Sequence, residues 1–228
     1  MGRRSSRTDE HAFAVEGATL IGEAVAAGWD IESEFVAPGG VAVTSADVFE
    51  LAPGVIERVA STEQPQPNIA VVSAPAQPPT LDGLGLVVVV DALNDPGNLG
   101  TILRSSEAAG IDAVVLTPGS VDPFNPKVIR ASAGAVFHVP VVGASLDEVR
   151  RAGLRLIGTS SHQGVQHREA DWSGRVAIVL GNESHGLPDD ADVDQWVTIT
   201  HRGRAESLNV AMAATLLAFT AAEHRSRH

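Results

Sequence analysis

The 228-residue sequence predicts an α/β protein, with a parallel sheet and crossover helices in its C-terminal two thirds and a smaller α/β unit before them. Three observations carry this. "LVVVVD", "DAVVLT", "LRLIGT", "VAIVLG" and "WVTI" are short, continuous apolar runs, the pattern of strands covered on both faces. Segments with helical character, "NLGTILRSSEAAG", "NPKVIRASAG" and "SLDEVRRAG", separate them as crossovers would. A proline-rich stretch at 73–85, "SAPAQPPTLDGLG", breaks the composition and reads as extended, weakly packed linker. The expected organisation is a small α/β domain over 1–75, a linker over 76–85 and a sheet domain over 86–228.

In the first unit, "FAVEGATLIGEAVAAG" sets Leu20, Ile21, Ala24, Val25 and Ala27 at helical spacing, with Gly28 as the stop. "IESEFVA" then alternates as a strand does. "SADVFELA" opens with Ser45 as a helix cap, and "NIAVVSA" reads as a buried strand. At the other end, Ser207 is the expected N-cap of a helix that carries Leu208, Val210, Met212, Leu216, Leu217 and Phe219 on nearly every side. Such a helix must be covered by the core or by a second subunit.

Composition narrows the function. No apolar run approaches the roughly 20 residues of a membrane span, and "MGRRSSRTDEHAF" has no apolar segment behind its basic residues. A cytoplasmic protein with no membrane partner is expected. The absence of cysteine excludes disulfides, thiolate zinc sites and a cysteine nucleophile. The eight histidines are scattered, so no metal site is expected. A net charge of −12 argues against a broad basic face for nucleic acid, although it leaves room for a local patch. Residues 1–80 hold 4 basic and 11 acidic groups and residues 81–228 hold 12 and 17, with Lys127 the only lysine.

In parallel sheets ligands sit at the carboxyl ends of the strands. Three unusual loops follow strands here. In "DALNDPGNLGTILR", Asp95 and Asn98 are capping types, Gly97 and Gly100 permit close approach, and Arg104 lies six residues after Asn98. No Gly-Lys-Ser/Thr follows, and the glycine spacing fails the dinucleotide fingerprint, which removes the support for a nicotinamide oxidoreductase. "VLGNESHGLP" places Glu183 between Gly181 and Gly186, beside Asn182 and Ser184. "ITHRGRAESLNVAMAA" adds Arg202 and Arg204, groups suited to phosphate or carboxylate, and Asn209, an asparagine within an apolar helix that requires partners.

Together these three segments resemble the SpoU (TrmH) family of the SPOUT superfamily. Asn98, Gly100 and Arg104 match the family's Asn-x-Gly-x-x-x-Arg motif, "LGNESHGL" its second motif and "ESLNVAMAA" its third, with "KVIRASAGAVFHVPVV" between them. The match runs from residue 86 to about residue 222. "FAVEGATLIGEAVAAG" further resembles the start of the family's extension similar to ribosomal protein L30e. After Asn209, "AMAA" replaces the more usual Ser-Val-Ala-Ala type of sequence.

The resemblance implies a C-terminal trefoil knot, a homodimer, S-adenosyl-L-methionine as methyl donor, and methylation of a ribose 2′-hydroxyl in RNA. It implies donor contacts at Thr159, Gly181, Ile199, Leu208 and Asn209, and an active site of Asn98, Arg104, Glu183, Ser207 and Asn209. Structured rRNA is favoured over tRNA as the substrate. Arg3, Arg4, Arg7, Arg130, Arg202 and Arg204 are the candidates for an RNA-docking surface. The competing expectation is a noncatalytic RNA-binding protein that keeps the knotted fold.

Overall fold

The computed structural model describes residues 4–60, 64–183, 185–201, 203–204 and 207–226. The chain begins with α1 (Arg4–Glu10), β1 (Ala12–Glu16) and α2 (Ala18–Ala26), and continues through β2 (Ile31–Val36), β3 (Asp47–Glu50), α3 (Ile56–Val59) and β4 (Asn68–Ser73). These strands form a sheet of order β1-β4-β2-β3, with β4 antiparallel to both neighbours and β3 parallel to β2. The helix expected from Ser45 is absent, because β3 runs through "DVFE". Glu34 explains it. Its buried carboxylate accepts from the amides of Val43 and Thr44 at 3.0 and 2.9 Å, which ties the chain before β3 against β2 in an extended path.

The second part runs β5 (Leu86–Val90), α4 (Pro96–Ala109), β6 (Ala113–Leu116), α5 (Pro126–Ser132), a 3-10 turn (Ala135–Phe137), β7 (Val141–Gly143), α6 (Leu146–Arg151), β8 (Arg155–Thr159), β9 (Val165–Gln166), β10 (Val176–Leu180), β11 (Gln195–Thr198) and α7 (Val210–Ser226). All seven strands are parallel, in the order β7-β6-β5-β10-β8-β11-β9. Every residue of β5 and β10 is buried. Leu86, Val88 and Val90 face the layer of α4, α5 and α7, while Val87 and Val89 face the layer of α6. Two covered faces are why the runs are continuous rather than alternating.

Helix α4 begins where Asp95 accepts from Asn98 N at 2.7 Å with Pro96 in its first turn, and it ends at Gly110 in the left-handed region, φ 70°. Gly100 lets it lie against α5, since a Cβ there would stand 2.4 Å from Ala131 Cβ. Helix α7 starts two residues later than expected. Its cap is Asn209, whose Oδ1 accepts from Ala211 N at 2.9 Å and Met212 N at 3.3 Å, so Ser207 remains outside the helix. One face of α7 is buried through Ala211, Ala214, Leu217, Ala218 and Ala221. The other leaves Met212 62%, Leu216 45% and Phe219 47% exposed.

The two sheets share one core. Phe13 stacks on Phe124 at 4.4 Å, and Trp29 meets Phe137 edge-on at 5.6 Å while its Nε1 donates to Phe137 O at 2.9 Å. Phe13, Ile21 and Val72 belong to the same buried cluster as Leu99, Ile102 and Ile129. A unit of about 70 residues buries too small a fraction of its own surface to be comfortable alone, and this seam supplies the rest. Nor is the proline-rich stretch loosely packed throughout. Leu81 is buried, and Arg175 donates to Leu84 O at 2.8 Å and Ala152 O at 2.6 Å. Arg7 departs from its expected place on an RNA-docking surface: it is 7% exposed, and its Nε donates to Asp122 Oδ2 at 2.8 Å. The fixed acceptor there draws the guanidinium inward. No helix of the described residues is long and apolar enough to cross a membrane.

Candidate active site

Four adjacent strands, β5, β10, β8 and β11, end on one edge of the parallel sheet, so the loops that leave them converge. Between the loops after β8, β10 and β11 lies a cavity of about 480 Å³, closed on one side by Val210, Ala213 and Leu217 of α7. Thr159 at the end of β8, Gly181 after β10, Ile199 after β11 and Leu208 before α7 all line it, as do Glu183, Ser207 and Asn209.

The β10 loop folds back upon itself. Gly186, at φ 68°, makes the turn, its amide donates to Asn182 O at 2.8 Å, and the returning chain crosses Gly181 so closely that a Cβ there would be 2.0 Å from Gly186 C. Only glycine fits at 181, because of the loop's own closure. The fold brings three sequence-distant side chains together at the rim. Glu183 Oε1 accepts from Asp95 N at 3.0 Å and from Asn98 Nδ2 at 3.4 Å, and Asn209 Nδ2 donates to Asn98 Oδ1 at 3.0 Å. Asn98 and Asn209 thus bridge the first turns of α4 and α7, where helix dipoles favour the nearby carboxylate. Asn209 is exposed rather than buried, yet both ends of its amide are used.

Arg104 stands apart. Six residues beyond Asn98 on α4 put it about 9 Å along the axis and about 120° around it. It is exposed, it does not line the cavity, and its side chain has no hydrogen bond or ion pair among the described residues. Arg204 is exposed and Arg130 half-buried, whereas Arg3, Ser184, Arg202 and the side chain of Arg4 lie outside what is described. The sequence did not single out Leu180, Leu187 and Val197, which give the cavity apolar walls, or Ser160 and His201. For Leu180, Val197 and Ser160 a place at or beside a strand end is the signal, whereas Leu187 and His201 lie further along their loops. Asp95 is a capping type in the sequence, but no local signal announces the contact of its amide with Glu183, 88 residues away. Among the described residues no group of three or more His, Asp or Glu is placed to hold a metal ion.

Comparison with known proteins matches these features. Residues 85–219 match the SpoU rRNA Methylase family, and residues 1–70 match the MRM3-like substrate binding domain. The 23S rRNA (guanosine(2553)-2′-O)-methyltransferase RlmP of Bacillus subtilis strain 168 is 35% identical, over 95% of this chain and 90% of that protein. The 23S rRNA (uridine(2479)-2′-O)-methyltransferase of Streptomyces viridochromogenes is 30% identical, over 99% and 87%. The crystal structure of the SpoU methyltransferase AviRb from Streptomyces viridochromogenes, in complex with AdoMet, superposes with a TM-score of 0.88 at 29% identity, covering 99% of this chain and 94% of that one. The three motif loops, joined through Asn98, Glu183 and Asn209 beside the cavity, and these likenesses agree: the chain belongs to the SpoU rRNA methylase family.

Proposed function

We propose that this protein transfers a methyl group from S-adenosyl-L-methionine to a ribose 2′-hydroxyl of ribosomal RNA. The observation that carries the reading is the cavity built jointly by the loops after β8, β10 and β11, with Glu183 and Asn209 of its lining hydrogen-bonded to Asn98. The residues fit the donor. A cavity of about 480 Å³ falls within the range for small-molecule sites, roughly 300–1,000 Å³. Leu180, Leu187 and Val197 offer an apolar clamp for a purine, and the hydroxyls of Thr159, Ser160 and Ser207 offer partners for the polar ends. When bound, the donor supplies an activated sulfonium methyl.

The chain's own work is alignment. Thr159, Gly181, Ile199, Leu208 and Asn209 would hold the donor, and Glu183 and Asn209 fix Asn98 and the first turn of α4. Arg104 is free to meet the RNA. A guanidinium stays protonated and presents a planar fork to phosphate, so it would hold the RNA backbone and help orient the ribose. Ser207, exposed in the cavity lining, would be a partner for the sugar.

Both named relatives act on 23S rRNA, which makes it the substrate to test before tRNA. The 1–75 unit is read as an L30e-like RNA-binding domain, 76–85 as its linker and 86–228 as the methyltransferase domain. The exposed Met212, Leu216 and Phe219 of α7 support a homodimer packed on that helix; a monomer mass in sedimentation would remove it. The trefoil knot is supported by the insertion of β10 between β5 and β8 and the return of α7 beside α4. The expected compartment is the cytoplasm, where the rRNA is.

The test is mapping alkali-resistant 2′-O-methyl positions in rRNA from cells with and without the gene, together with transfer of labelled methyl to 23S rRNA in vitro. One position lost with the gene and restored by the pure protein is the expected result. Identical maps sink the reading. Donor binding by calorimetry without any transfer would favour the noncatalytic alternative.

A further inference from the structure

Ala92, two residues past the end of β5, is one of three non-glycine residues with positive φ among those described, at 49°. Crowding between Cβ and the carbonyl disfavours that region for an L-residue, so its surroundings must hold it there. The holder is Thr117, just past the end of β6. Its buried hydroxyl accepts from Ala92 N at 2.9 Å and donates to Asp91 Oδ1 at 2.6 Å.

The left-handed turn directs the carbonyl of Ala92 across to the neighbouring loop. There it accepts from Asn182 Nδ2 at 2.9 Å. Asn182 in turn closes the β10 loop through its own carbonyl, which takes Gly186 N at 2.8 Å, and it directly precedes Glu183. Thr117 belongs to none of the three motif loops and does not line the cavity. Even so, two hydrogen bonds lead from its hydroxyl through Ala92 to Asn182, and the peptide link from Asn182 to Glu183 carries the connection on to the hydrogen-bonded Glu183–Asn98–Asn209 group.

We infer that Thr117 and Ala92 are positioning residues for methyl transfer: the Thr117 hydroxyl fixes the turn at Ala92, and the Ala92 carbonyl fixes Asn182 and so places Glu183 against Asn98. The inference rests on the methyltransferase reading of this cavity. Thr117→Val removes the hydroxyl at nearly constant shape. It leaves Ala92 N without its acceptor, and the turn relaxes toward negative φ.

The test pairs kinetics with hydrogen exchange at Gly186, whose amide reports closure of the β10 loop. Losing one buried hydrogen bond in Thr117→Val is expected to lower kcat about tenfold and speed Gly186 exchange by a similar factor. Thr117→Ser is expected to keep both values. Adding Ala92→Gly to Thr117→Val is expected to recover much of each, because glycine enters the left-handed region without the Cβ penalty. A general loss of packing would not respond to that second change. Should Thr117→Val fail to fold, Asn182→Asp, which cannot donate to the Ala92 carbonyl, is expected to give the same faster exchange. Unchanged Gly186 exchange, or no recovery from Ala92→Gly, overturns the inference. If the wild-type protein transfers no methyl to rRNA, the proposed function falls, and the exchange measurements still decide whether Thr117 holds the loop.

Discussion

Glu34 is the only acidic residue among the described ones with no solvent exposure. Burial acts to raise its pKa, but hydrogen bonds from Asn68, Thr44 and the amides of Val43 and Thr44 together hold it below the ordinary 4.5. A carboxylate depressed in the folded state adds stability above its unfolded pKa, and that contribution is lost as pH falls through the lower folded value. Glu34→Gln should therefore cost about 1.5–3 kcal/mol at neutral pH, with the gap from wild type narrowing in acid, as urea unfolding at about pH 7 and pH 3 would show. A gap that stays constant would mean the charge is not the source. For Arg104, exposed and away from the cavity, Arg104→Ala should reduce methyl transfer on the order of 100-fold through lost positioning and leave donor affinity by calorimetry unchanged. Arg104→Lys should recover only part, since the ammonium lacks the fork. At this scale the sequence was informative about residue types and silent about partners. Arg7 and Asp122 are 115 residues apart, and nothing local in "RSSRTDE" announces that contact.

Elements were legible in proportion to how local their causes are. The fully buried strands β5 and β10 and the capped start of α4 at Asp95 follow from runs and a cap that a few residues encode. β3 and the start of α7 were misread, because a carboxylate from another strand fixes the first and the competition between Ser207 and Asn209 decides the second. Asn209 serves the helix and the site at once, and the two roles are separable. Asn209→Ala should lose about 1 kcal/mol of stability with the cap, and transfer activity as well. Asn209→Asp keeps an acceptor for Ala211 N but no donor for Asn98. Thermal melts should show stability restored in that variant while activity stays low; recovery of both would mean the Asn98 contact is dispensable.

At the level of the whole molecule, the convergence of the three motif loops follows from parallel topology, which the sequence declares. The seam of Phe13, Trp29, Phe124 and Phe137 does not, because these rings come from separate segments and meet only once both sheets exist. One shared core makes one cooperative unit. Trp29→Ala should lower stability by about 3 kcal/mol and shift a single calorimetric transition, with both sheets melting together. Two resolved transitions in the wild-type protein would contradict a shared core.

That seam also governs how the chain can be cut. Residues 75–78 are exposed, whereas Phe13 and Trp29 on one side and Phe124 and Phe137 on the other are gripped across the interface. A protease that severs the exposed stretch meets no folded obstacle and frees nothing. The nicked protein should migrate as one species under native conditions and as two bands in detergent, and the halves, expressed separately, should reassemble.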